Sequence, residues 1–156
     1  MKVNRLDDSI IVFLNNFFIN DINYRDNKDL EKLLKIVIDK LKNYYDINVI
    51  GYYNVLVYID KNYGLILEMI DENLEYMDCD EIIDARLKVI NTNFLYKIND
   101  LINYSFEHKT YLYQDEIYID ILEDIDYIEL GILLENSEII YKNTQDIIKY
   151  GKVLKI

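Results

Sequence analysis

The chain has 156 residues and a mass of 18.8 kDa, enough for one ordinary domain or two very small ones. Hydrophobic residues make up 51% and charged residues 29%, a globular rather than a disordered balance. Seventeen basic residues against 29 acidic ones give a net charge of −12, which argues against tracking a phosphate backbone and against docking on anionic lipid.

Ile, Asn, Lys, Asp and Tyr are abundant, with 16 tyrosines, and Pro and Trp are absent. Residues with A/T-rich codons dominate, as in a low-GC bacterium or an A/T-rich large DNA virus. The tyrosines therefore carry no functional meaning by count alone. The N-terminus has no leader pattern, and no apolar run reaches the length of a membrane span. The expectation is a soluble, cytoplasmic protein.

Residues 9–19, SIIVFLNNFFI, are β-branched and aromatic and predict a strand, with an easy turn at Asn15-Asn16. Residues 27–45 predict a helix, because Leu30, Leu33, Leu34, Val37, Ile38 and Leu41 fall on one stripe. Asp26 is its expected N-cap, and Lys40 and Lys42 suit its C-terminal turns. Residues 49–60 and 65–70 predict two strands around KNYG, where Gly64 supplies a permissive turn. Residues 1–70 thus read β-α-β-β, a helix packed on a small antiparallel sheet.

Residues 71–84, DENLEYMDCDEIID, hold seven acidic side chains and no basic one and are the expected linker or long loop. Beyond it, residues 86–90 and 94–98 predict two strands, or a strand and a short helix leading through 100–104. Residues 111–113 and 117–121 predict a hairpin, 125–135 are apolar with mixed period, and 144–150 predict a last helix. That helix would have Thr144 as N-cap and Gly151 as C-cap signal. The expected fold class is α+β, with 1–70 followed by a second small α+β unit over 85–156. Residues 1–70 carry net −1 and 71–156 net −11, so charge too divides the halves.

Catalytic chemistry is sparse. His108 sits in FEHKT without a nucleophile motif, and the carboxylates around Cys79 disfavour a thiolate. The single cysteine rules out an internal disulfide or a multi-cysteine zinc site. Two acidic clusters, Asp78/Asp80/Glu81/Asp84 and Asp120/Glu123/Asp124/Asp126, lack the order of a calcium loop. Gly51, Gly64, Gly131 and Gly151 are too far apart to cradle a phosphate. The reading is a non-enzyme without cofactor or metal. Tyr111, Tyr113 and Tyr118 alternate along the second hairpin, with Asp115 and Glu116 at its tip. Tyrosine offers large contact area with a polar end, and carboxylates suit a basic partner. These five residues are the partner-binding candidates.

Three stretches together resemble the MecA-type adaptor proteins of low-GC Gram-positive bacteria. MKVNRLDDSIIVF resembles that family's opening strand, GYYNVLVYIDKNYGLILEM its hairpin after the first helix, and TQDIIKYGKVL its closing helix. KTYLYQDEIYIDI looks like the tyrosine-bearing hairpin before that helix. This chain is shorter than typical members, and its first hairpin turn carries the extra Asn62-Tyr63. The resemblance implies an adaptor whose N-terminal part holds a substrate and whose C-terminal part docks on an Hsp100 unfoldase such as ClpC. It assigns no individual contact, so Tyr113, Asp115 and Glu116 stand on their chemistry alone. The competing expectation is an acidic inhibitor or immunity protein that covers a basic toxin or nucleic-acid-binding enzyme.

Overall fold

The computed structural model describes residues 1–16, 23, 26–72 and 83–155. The chain forms two units, Met1–Val57 with Ile66–Val89, and Tyr58–Leu65 with Ile90–Ile156.

The first unit contains β1 (Lys2–Arg5), β2 (Ser9–Asn15), α1 (Asn27–Tyr45), β3 (Gly51–Asp60), β4 (Gly64–Asp71) and β5 (Ile83–Asn91). The strands form one sheet in the order β1-β2-β4-β3-β5. α1 matches the apolar stripe: Leu30, Leu33, Leu34, Val37 and Leu41 are buried. The Asp26 carboxylate accepts the Lys28 N–H at 2.9 Å, capping a terminus that would otherwise leave that donor unpaired. At the other end Asp46 adopts the left-handed conformation, φ 54°, and the Ile47 N–H returns to the Leu41 carbonyl at 3.0 Å. In β3 the buried Tyr53, Val55 and Val57 alternate with half-buried Asn54 and Leu56, the period-two signature of a strand. β2 and β4 are buried along nearly their whole length, as interior strands of a covered sheet are.

The second unit contains β6 (Leu95–Ile98), β7 (His108–Tyr113), β8 (Glu116–Ile121), α2 (Tyr127–Glu135), β9 (Ser137–Ile140), α3 (Thr144–Tyr150) and β10 (Lys152–Leu154). Its sheet runs β10-β7-β8-β6-β9, every neighbouring pair antiparallel. The end of the first hairpin belongs here, and Asp60 fixes it. One oxygen, Oδ1, accepts the N–H groups of Asn62 and Tyr63, both at 2.9 Å, and Oδ2 accepts the Phe94 N–H at 3.0 Å. Asn62 then donates to the Glu123 carbonyl at 3.0 Å and accepts the Ile125 N–H at 3.1 Å. At the C-terminus of α3 the Gly151 N–H closes on the Ile147 carbonyl at 2.8 Å. A Cβ on Gly151 would press on that carbonyl and lie 3.2 Å from the Tyr111 Cβ, so close approach requires glycine here.

The expected α+β layout, β-α-β-β and then a second small α+β unit, is corrected. The described residues hold more strand than helix, 44% against 26%, in two five-stranded sheets. β1 escapes the sequence reading because KVNR is polar and largely exposed; it exists by pairing Val3 with Val12 and Arg5 with Ile10. β5 follows the acidic segment yet joins the first sheet beside β3, a non-local pairing that no local pattern encodes. Residues 73–82, including Cys79, lie outside the described residues, as do 17–19 of the first expected strand. Residues 100–104 are irregular rather than helical. α3 spans its expected residues, but its N-cap is Asn143, φ 58°, not Thr144. Thr144 is buried and its hydroxyl meets that of Thr92 at 3.0 Å.

Charge also redistributes. The first unit has ten basic and sixteen acidic residues and the second seven and thirteen, net −6 each. The contrast between sequence halves is not a contrast between units.

Candidate functional site

The β7–β8 hairpin pairs Tyr111 with Tyr118 and Tyr113 with Glu116. Cross-strand partners share a face, and residues two apart share it too, so the three tyrosines lie together. That face is a core. Tyr111 is 4% exposed and clusters with Leu95 and Ile147, and Tyr113 and Tyr118 pack against the cluster half-buried. Burial pushes the Tyr111 phenol up, with the Asp120 charge adding to it. Burial likewise raises Tyr118, against the opposing pull of Lys97. Glu116 is half-buried and lies 3.1 Å from the Lys97 ammonium, which is held up by that hydrogen bond. Of the five candidates, Asp115 alone is fully exposed.

The tip of this hairpin stores strain. Gln114 and Asp115 both have positive φ, 50° and 63°, the backbone of a two-residue type I′ turn that favours Asn-Gly. Gln114→Asn with Asp115→Gly is therefore expected to raise stability by about 1 kcal/mol, read as a higher urea midpoint with an unchanged slope. A drop would mean that the Asp115 side chain contributes more than its backbone costs.

A cavity of about 260 Å³ is lined by Asp60, Asn93, Phe94, Tyr96, Asp120 and Leu122, among others. Asp60 is committed to its three backbone N–H groups, a structural rather than a catalytic carboxylate. Among the described residues the buried Tyr96 hydroxyl finds no hydrogen-bond partner, and its phenol is pushed well above the ordinary range by burial, then by the Asp60 charge and Tyr63. Burial also raises Asp120 above 3.8, opposed by Lys109 and reinforced by Asp60. A raised carboxyl favours the folded state when protonated, so its contribution to stability falls as pH rises from 3.8 through the folded value, then levels. Asp120→Asn is expected to raise the melting temperature at pH 7, with the gain lost as pH falls through the raised folded value to 3.8. An equal gain at both ends would assign the effect to packing instead.

Among the described residues His108 makes no triad. Its Nδ1 lies 2.8 Å from the Phe106 carbonyl, and its ring stands edge-on to Tyr104 at 5.9 Å. Among the described residues no three His, Cys, Asp or Glu side chains come together as a metal cluster. Nor is any helix among them long and apolar enough to cross a membrane.

The feature that sequence periodicity did not resolve is α2. Asp126 caps it, accepting the N–H groups of Ile128 and Glu129 at 2.9 Å each, and Glu129 accepts the Ser105 hydroxyl at 2.7 Å. Leu130 and Leu133 are buried, but Tyr127, Ile128 and Ile132 are 73%, 56% and 48% exposed. The helix is apolar on both sides, which is why 125–135 shows no clean period. Residues 110–141 hold nine acidic side chains and no Lys or Arg. The exposed apolar face thus sits in a stretch of one charge sign, with Glu123, Asp124 and Asp126 exposed before it and Glu135 exposed near its end. Lys61 offsets one of these at 2.8 Å from Asp124. Comparison with known protein families, with curated proteins and with solved structures finds no match.

Proposed function

We propose that this chain is a non-enzymatic, cytoplasmic protein-binding adaptor whose second unit docks on a basic surface of its partner. The observation that carries this reading is α2 and its approach, where exposed Tyr127, Ile128 and Ile132 stand beside the exposed carboxylates of Glu123, Asp124, Asp126 and Glu135. Carboxylates steer and select a cationic partner, and the apolar area supplies affinity. The resemblance to MecA-type adaptors names an Hsp100 unfoldase of the ClpC type as that partner, with the first unit holding the substrate. Tethering both would raise the effective substrate concentration at the unfoldase.

The test is calorimetric titration of the full chain with a purified ClpC-type unfoldase at low and high salt. The expected result is saturable binding that weakens as salt rises. Asp115→Lys with Glu123→Lys and Asp124→Lys should weaken it further and flatten its salt dependence. Absence of binding at low salt overturns the unfoldase as partner. Tight, salt-sensitive binding to a basic toxin or nuclease in its place would make the chain an inhibitor or immunity protein.

A further inference from the structure

Gly131 stands in the middle of α2 without a packing reason. A Cβ there would meet no atom of the described residues within 4 Å. Glycine inside a helix is less favourable than alanine, and no described neighbour would exclude the methyl group. Around it lie Tyr127 and Ile128, four and three residues before it, and Ile132 just after. On a helix, residues three and four apart share a face, so Tyr127, Ile128, Gly131 and Glu135 lie together. The result is open space over bare backbone, flanked by large exposed apolar side chains and then by carboxylates. Such a notch admits a side chain from outside closer to the helix axis than any other residue at 131 would allow.

We propose that this face of α2 is the docking surface for a cationic amphipathic helix of a partner protein. An apolar side chain of the partner seats over Gly131 between Tyr127, Ile128 and Ile132, and its lysines or arginines pair with the flanking carboxylates. The charge of the occupant follows from Glu123, Asp126 and Glu135, exposed carboxylates at the two ends of α2, where Lys61 offsets Asp124. Its helical form follows from Ile128, Gly131, Ile132 and Glu135, an i, i+3, i+4, i+7 set of the kind that makes a hole for a knob of a facing helix. The proposal rests on the protein-binding reading above and specifies its surface.

The probe is a synthetic Leu/Lys amphipathic helical peptide titrated into the ¹⁵N-labelled full chain. Amide shifts should be confined to α2 and residues 122–126 and should saturate. Gly131→Leu should weaken binding about tenfold or more, by filling the notch, and Ile128→Ser with Ile132→Ser should do the same by removing the anchors. Gly131→Ala should raise the melting temperature while weakening the peptide several-fold. A Leu/Glu peptide of the same apolar face should not bind. Equal binding to wild type, Gly131→Leu and the serine variant, or shifts spread over both sheets, overturns the proposal as mere charge attraction. Peptide binding at α2 without unfoldase binding would sink the unfoldase and leave the surface standing. Unfoldase binding insensitive to Gly131→Leu would do the reverse.

Discussion

Tyr111→Ala lowers the unfolding free energy by about 3–5 kcal/mol, the usual cost of emptying a buried aromatic site. The ring is 4% exposed, clusters with Leu95 and Ile147, and meets α3 where Gly151 leaves no room for a Cβ. Loss of the ring removes apolar contact and leaves a void that a rigid sheet cannot collapse into. A domain of this size has about 5–15 kcal/mol in total, so the variant sits near the edge of folding. Urea denaturation reads the effect as a lower midpoint. Tyr111→Phe should cost far less, since the packing ring remains. A Tyr111→Ala midpoint equal to wild type would mean that the tyrosine is surface after all, and would restore it as a partner contact.

Asp60→Ala is expected to cost about 3 kcal/mol or more, because three backbone N–H groups lose a charged acceptor together. Two of these donors, Asn62 and Tyr63, set the turn, and the third, Phe94, fixes the entry to β6. Burial of the Tyr63 ring, whose phenol is pushed up to about 12, depends on that turn. Hydrogen exchange gives the sharper reading: the amides of Asn62, Tyr63 and Phe94 should lose protection well beyond the rest of the second sheet. Asp60→Asn keeps an acceptor and should fall between wild type and alanine. Unchanged protection at Phe94 would show that the carboxylate is dispensable to this junction.

α1 was legible almost residue by residue, since a 19-residue amphipathic helix with Asp26 before it carries its own signal. The strands around Gly64 and the Tyr111–Tyr118 hairpin were legible for the same reason, each a short local pattern with turn residues between. β1, β9 and β10 were not: strands of three or four residues exist through their partners, not through periodicity. β5 was legible as a strand but not as a member of the first sheet, because pairing across an acidic stretch is decided by tertiary packing. The candidate tyrosines illustrate the limit at the site. Alternation placed Tyr111 and Tyr113 on one face, but sequence cannot say whether a face meets solvent or α3. Conversely, α2 hid its exposed stripe because Leu130 and Leu133 on one side and Ile128 and Ile132 on the other erase the period that marks an ordinary surface helix.

The interleaving of the two units along the chain bears on synthesis. Tyr58 and Tyr63 leave the ribosome with the first hairpin, but their ring partners come much later. Tyr63 pairs with Phe94 at 5.8 Å and Tyr58 with Tyr141 at 4.8 Å between centroids. At about 5–20 residues per second, Tyr58 waits roughly 4–17 s for its partner to be made. Until residue 94 is made both rings lack these later contacts, and the hairpin end is then a target for chaperones and for aggregation. A fragment ending before residue 90 would retain that uncovered hairpin end permanently, so the sequence cannot be divided into its units by a single cut.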